Sequence, residues 1–180
     1  ECEPHLPCGP KPIVQLHSDA RILIASQAPG RIAHASGVPF QDPSGRRLRE
    51  WMGMDESTFY DASTVAILPM GFCYPGKARG GDLPPRPECA PRWRQLALDQ
   101  LSNLQLMLII GTYAQRWHLG STRALTEQVR RGVQLSEEKA VHIMVLPHPS
   151  PRNNPWLKCN PWFEADILPA LKTRVVEALS

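Results

Sequence analysis

Apolar and polar residues follow two rhythms along this chain, and the way the rhythms alternate predicts the architecture. Four short runs, at 21–25, 65–70, 106–110 and 142–146, are apolar almost without interruption and are bounded by Gly or Pro. Runs of this length and purity mark strands buried on both faces. Between them, apolar residues recur at helical spacing. Leu48, Trp51 and Met52 do so across 44–52, and Trp93, Leu96, Ala97 and Leu101 across 90–101. An apolar face also persists through 162–179, with shorter helices expected over 113–119 and 122–131. Strands that alternate with helices imply a parallel sheet covered on both sides. The predicted fold is a three-layer α/β/α sandwich with a central, mainly parallel four-stranded sheet.

Ligands bind such sheets beyond the carboxyl ends of the strands. Those ends are Ser26-Gln27-Ala28-Pro29-Gly30, Gly71-Phe72-Cys73, Gly111-Thr112-Tyr113 and Pro147-His148-Pro149-Ser150-Pro151. The fold therefore brings the first and last of these loops toward one edge.

Composition narrows the class. A chain of 180 residues with 42% hydrophobic content suits a single domain over 1–180 with one core. No apolar run approaches the roughly 18–20 residues of a membrane span. No secretory signal is visible and a cytoplasmic location is expected, although a chain opening on Glu1 rather than Met is expected to have lost native N-terminal residues. The net charge is only +3, carried mostly by Arg, which favours planar contacts to phosphate and bases. A mixed-charge solvated surface explains so small a charge equally well. The 19 prolines concentrate in long, stiffened loops such as LPHPSPRNNPW and GGDLPPRPECAP.

The loops at the sheet edge carry the candidate chemistry. Gln27-Ala28-Pro29-Gly30 makes a tight turn whose backbone N–H groups can face the polar edge of a ligand, and Phe40 can supply a flat wall. Phe40 as an ordinary core residue is the competing reading. His148 stands between two prolines that restrict its backbone, so it can donate a hydrogen bond to an oxygen that gains negative charge in a transition state. A structural histidine is the alternative. Ser150, Pro151, Arg152 and Asn153 follow with the donors that commonly meet phosphate. Trp156, Trp162 and Phe163 suit packing of the last helix better than stacking on bases.

These residues resemble the uracil-DNA glycosylase superfamily. Ser26-Gln27-Ala28-Pro29-Gly30 with Gly37-Val38-Pro39-Phe40 is similar to the first motif of the family 4 iron-sulfur glycosylases, Gly-Glu-Ala-Pro-Gly to Gly-x-Pro-Phe, with the same spacing. His148-Pro149-Ser150-Pro151 matches the superfamily's His-Pro-Ser loop, and Gly111 with Ala114 resembles its Gly-x-x-Ala. Arg86, Pro87, Glu88 and Cys89 resemble the family 4 Arg-x-Pro with its downstream Cys. The resemblance implies that a uracil flipped from DNA stacks on Phe40, that Gln27 and the Ala28–Gly30 turn meet its edge, and that His148 stabilises the departing base anion. It implies DNA contacts from Ser150 to Asn153, with Arg152 as wedge or phosphate contact.

Two departures from the family pattern stand out. Ala28 replaces the Asp that activates water in the best-known members, and Gln27 stands where family 4 has Glu. Pro69-Met70-Gly71-Phe72 occupies the place of the uracil-reading Asn. His34 and Asp42 are the nearby side chains that can compensate, unless they are plain loop residues.

The five cysteines fit the same resemblance. Cys73 and Cys89 are sixteen apart, the separation of the third and fourth family 4 cluster ligands, and Cys2 resembles the second Cys of its N-terminal Cys-x-x-Cys. Cys8 is the substitute for the missing partner, or that partner lies upstream of Glu1. A [4Fe-4S] cluster on these thiolates would be structural, since base excision needs no electrons. Buried cysteines or zinc are the alternatives, and Cys159 has no apparent role. The expected protein is a monomeric, monofunctional DNA glycosylase acting on uracil or a related deaminated base in repair. A catalytically silent lesion-binding relative and an enzyme of free nucleotides are the rivals.

Overall fold

The computed structural model describes Pro4, residues 6–136 and residues 140–180. Its framework is a five-stranded sheet in the order β2-β1-β5-β7-β6. Strand β1 (Ile22–Ala25) lies between β2 (Val65–Ile67) and the central β5 (Leu106–Ile110), with β7 (His142–Leu146) beyond, all parallel. Ile22 is paired with Val65 on one side and Leu106 on the other, and Leu106 in turn with His142. The near-continuous apolar runs are explained by burial on both faces: Ile22, Leu23, Ile24 and Ala25 are all fully buried.

The two faces belong to two cores. Ile22 and Ile24 pack with Leu48, Trp51, Phe59, Phe163 and Leu171 in the larger. Leu23 points the other way, to Ala20, Ala66, Leu68 and Leu101. Helix α2 (Pro43–Met52) and the terminal helix α8 (Leu168–Leu179) pack together over the larger core. Trp51 meets Phe163 edge-on at 4.9 Å. A wide turn at Ala90–Arg94 leads into α4 (Gln95–Leu98), whose Ala97 and Leu98 cover the smaller core. Each fully buried aliphatic side chain contributes roughly 1.5–3 kcal/mol.

The expected α/β sandwich is therefore present, with one strand more than expected. The fifth, β6 (Val133–Leu135), is an antiparallel edge strand only three residues long and partly exposed, so its sequence has no buried run to betray it. Helix α5 (Gly111–Leu119) and helix α6 (Leu125–Arg130) fall where helical spacing placed them, α6 being shorter. Three elements stand in segments read as loops. These are α1 (Arg31–Ser36), the small hairpin of β3 (Lys77–Ala78) and β4 (Gly81–Asp82), and α7 (Asn154–Cys159). A four-residue helix, α3 (Glu56–Phe59), precedes β2. Among the described residues no helix is long and apolar enough to cross a membrane. Trp156, Trp162 and Phe163 pack at the last helix as expected, with Trp156 edge-on to both partners at 5.8 and 5.6 Å.

Candidate active site

The carboxyl ends of β1 and β7 open onto a cleft of about 500 Å³. Its floor is set by backbone pairing that continues past the strands. Leu68 N donates to Ile24 O at 3.0 Å, Met70 N to Ser26 O at 2.8 Å and Gly71 N to Gln27 O at 2.9 Å. The first loop is thereby tied to the end of β2, and Gln27, Ala28, Pro29 and Gly30 form one wall.

The opposite wall is the His148 loop. Pro147 and Pro149 are buried and His148 is half-buried. The Ser150 backbone N–H donates to His148 Nδ1 at 3.2 Å, which makes Nδ1 an acceptor and leaves the ring proton of the neutral imidazole on Nε2. Nε2 has no protein partner among the described residues. Burial lowers the pKa of His148 below the ordinary histidine value, with Asp42 and Asp82 pulling in the other direction. The resting group is a neutral imidazole that presents an N–H donor.

Phe40 reaches the cleft through a strained turn. Its φ of 56° is left-handed, a conformation unusual for an aromatic residue. Three contacts hold it there. Tyr60 donates its hydroxyl to Pro39 O at 3.1 Å, the Phe40 ring meets Phe59 edge-on at 6.4 Å, and Asp42 caps α2 by accepting from Gly45 N at 2.9 Å. A Cβ on Gly45 would collide with the Phe40 carbonyl, so glycine is required where α2 passes under the turn. Phe40 is thus partly core and partly cleft wall, which unites the two readings of its sequence context.

The other expected site residues separate into groups. Asp42, Ser150, Pro151, Arg152 and Asn153 line the cleft with Phe40, His148 and the first loop. Ser150 and Asn153 turn polar groups onto their own loop: Ser150 Oγ accepts from Arg152 N at 3.2 Å, and Asn153 Nδ2 donates to His148 O at 2.7 Å. Arg152 reaches across the mouth and donates to Gly80 O at 3.1 Å. His34 is not among the lining residues. It sits on α1 with its ring 5.6 Å from Tyr74, and its Nδ1 is buried without a partner.

Several lining residues carry no motif. Asp82 and Leu83 come from the β3–β4 hairpin and Pro69 from the end of β2, while Arg47 braces the His loop from outside by donating to Ser150 O at 3.3 Å. The Gly80-Gly81 pair between basic residues and Asp82 was the available signal, since adjacent glycines between short segments mark a hairpin.

Of the cysteines, Cys89 is buried and accepts from the Phe72 backbone N–H at 3.3 Å, which sets its sulfur beside the chain neighbour of Cys73. Cys8 is exposed, and Cys2 lies outside the described residues. Among the described residues no three His, Cys, Asp or Glu side chains gather to hold a metal ion. Cys73 is partly buried, one residue along the chain from the Phe72 N–H that Cys89 accepts from.

Comparison with known proteins agrees with this geometry. The family model for the uracil DNA glycosylase superfamily matches residues 14–172. The solution NMR structure of a candidate uracil DNA glycosylase from Methanosarcina acetivorans superposes with a TM-score of 0.53 at 15% identity, over 89% of this chain and 94% of that one. At that identity the likeness establishes the fold.

Proposed function

Because the chain belongs to the uracil DNA glycosylase superfamily, we propose that it is a monofunctional DNA glycosylase that hydrolyses the N-glycosidic bond of uracil, or a related deaminated base, flipped from DNA during base excision repair. The observation that carries this reading is His148. Its Nδ1 is occupied by a backbone N–H, which leaves an Nε2–H donor facing a cleft walled by Phe40. A flipped base stacks on Phe40 and meets the Gln27–Gly30 loop along its edge. As the C1′–N bond breaks, the base leaves with the bonding pair, and the hydrogen bond from Nε2 strengthens as its oxygen becomes an anion. A donor that acts mainly in the transition state accelerates the step without tightening substrate binding.

Two further features support the reading. Among the described residues none that lines the cleft is a lysine, the usual amine for the covalent sugar chemistry of a bifunctional enzyme. Arg152 spends one guanidinium nitrogen on Gly80 and keeps others for a phosphate at the mouth. We also propose that Cys73 and Cys89, with Cys2 and a further thiolate, hold a structural iron-sulfur cluster. It would pin the loops after β2, and the chemistry needs no step from it. Iron and sulfide content with visible absorption tests the cluster, and a colourless, iron-free folded protein would remove it.

The test of function is release of free base from oligonucleotides carrying uracil, hypoxanthine or xanthine, single-stranded and paired. Release that falls roughly a hundredfold or more in His148→Ala establishes the glycosylase and its preferred base. Absence of release from every substrate, with tight binding to uracil-containing DNA, identifies a recognition protein instead. Ala28, in place of a water-activating carboxylate, is the feature that favours that second reading.

A further inference from the structure

The first loop has no carboxylate to activate water, yet the cleft contains carboxylates from elsewhere. Asp42 is tied to α2, its Oδ1 accepting from Gly45 N. Asp82 arrives from the opposite side, at the end of β4, and is held differently. Its Oδ1 accepts from the Tyr74 hydroxyl at 3.2 Å. Its Oδ2 lies 3.4 Å from the position a Cβ on Gly30 would take, so it rests against the first loop at Gly30. Glycine at 30 leaves this approach open, whereas a larger side chain would fill the space between the loop and the carboxylate.

The hairpin that carries Asp82 is itself anchored. Leu83 N donates to Gly76 O at 2.8 Å across its base, and Arg152 clasps Gly80 O at its tip, fastening it to the His148 loop. Asp82 and the His148 ring share the cleft, and the acidic group favours the protonated imidazole against burial. The cleft thus holds both a hydrogen-bond donor and a carboxylate.

We propose that Asp82 is the residue that activates water in this cleft, supplying from the β3–β4 hairpin the carboxylate that the first loop lacks. The inference rests on the glycosylase reading. In the step it supports, the C1′–N bond breaks and the base departs with both electrons, its oxygen hydrogen-bonded to His148 Nε2–H. The water oxygen bonds to C1′ and its proton passes to an Asp82 carboxylate oxygen, then to solvent. Ionised, Asp82 also opposes the positive charge that develops on the sugar ring. Tyr74 is a positioning residue, since its hydroxyl fixes which oxygen of Asp82 is left for water.

The test compares wild type, Asp82→Asn and Tyr74→Phe in single-turnover base release, together with affinity for product DNA containing an abasic site and with thermal melting. General base catalysis contributes roughly 10²–10⁴-fold, so Asp82→Asn should slow release by about a hundredfold or more with melting and product affinity near wild type. Tyr74→Phe should lose about tenfold or less, with melting and product affinity likewise near wild type. An active wild type with Asp82→Asn equally fast overturns the role of Asp82 and leaves the glycosylase standing. A wild type that releases no base from any substrate overturns both.

Discussion

Two half-buried histidines stand near ends of the same sheet and are held in opposite ways. His118, on α5, faces Arg94, whose guanidinium is fully buried and donates from Nε and Nη2 to His118 Nε2 at 3.1 and 2.7 Å. Arg94 Nη1 adds bonds to Leu68 O and Pro69 O at 2.7 and 2.8 Å. Burial and the adjacent Arg94 charge press the pKa of His118 down to about 3, so it is a neutral acceptor already engaged. His148 is also kept neutral by burial, but its acceptor nitrogen is satisfied by a backbone N–H and its donor is left to the cleft. Burial alone therefore does not distinguish a histidine open to a ligand from one held within the framework. What distinguishes them is which ring nitrogen the surroundings consume. Their arginine neighbours follow the same division, with Arg94 sealed beneath the loop after β2 and Arg152 exposed at the cleft mouth.

The sharpest way to break the comparison is to exchange stability for rate at the two sites. Arg94→Met leaves the Leu68 and Pro69 carbonyls and His118 Nε2 without their donors. Removing one member of a buried charged network costs roughly 3–5 kcal/mol, so this variant should be largely unfolded or melt far below wild type. His148→Ala should instead keep most of its stability and lose about a hundredfold or more in base release. Urea unfolding and single-turnover kinetics on both proteins separate the outcomes. A well-folded Arg94→Met protein with normal stability would show that the buried pair is not structural.

A smaller effect comes from acid. A histidine whose folded pKa is depressed binds fewer protons folded than unfolded, so stability rises with pH between the two values. For His118 the window runs from its ordinary 6.5 down to about 3: stability is complete above the window and is lost as pH falls through it. The slope is up to roughly 1.4 kcal/mol per pH unit. Between pH 6.5 and 5 no ordinary carboxylate interferes, and His118→Gln, which still offers an oxygen to Arg94, should flatten the dependence. Equal slopes in the two proteins would assign the acid sensitivity elsewhere.

Backbone strain supplies an effect of intermediate kind. Gly45→Ala would drive a methyl group into the Phe40 carbonyl and push the left-handed turn out of place. Overpacking of this sort costs typically about 1–3 kcal/mol, and the displaced ring should weaken base stacking along with it. Thermal melting and base-release rate should fall together, and loss of one alone would uncouple Phe40 from α2.

These contrasts also explain what could be read from the chain. The four parallel strands were legible because burial on both faces writes uninterrupted apolar runs, and the first loop and the His148 loop were legible because prolines and glycines mark strand ends. Edge strand β6 and hairpin β3–β4 were not, since neither has a buried face and each is only two or three residues long. Asp82 gave no sign for that reason: an aspartate in a Gly-Pro-rich loop carries no periodic signal, and only the folded hairpin sets it, still exposed, at the cleft. Arg94 lies in an apolar helical stretch that gives no sign of complete burial, because what buries it is three partners distant in sequence. His34 was drawn toward the cleft by proximity to the motif, yet the turn of α1 carries its ring to Tyr74.

The smallest effect concerns Arg152, the exposed counterpart of Arg94. Its bond to Gly80 O is solvent-exposed, and an exposed hydrogen bond of this type contributes only about 1 kcal/mol net to holding the hairpin. A phosphate contact from its remaining nitrogens would be equally modest in affinity but would leave a distinct trace, because each neutralised phosphate releases counterion. Arg152→Ala should therefore weaken DNA binding several-fold at low salt and reduce the slope of log affinity against log salt by about one. Arg152→Lys should recover the salt slope, since charge suffices for counterion release. It should not fully recover the base-release rate, because a lysine cannot reproduce the planar reach to Gly80 that keeps Asp82 at the cleft. If instead the alanine variant binds with an unchanged salt slope and only its rate falls, Arg152 serves the hairpin alone, and the phosphate contact belongs to another basic residue at the mouth.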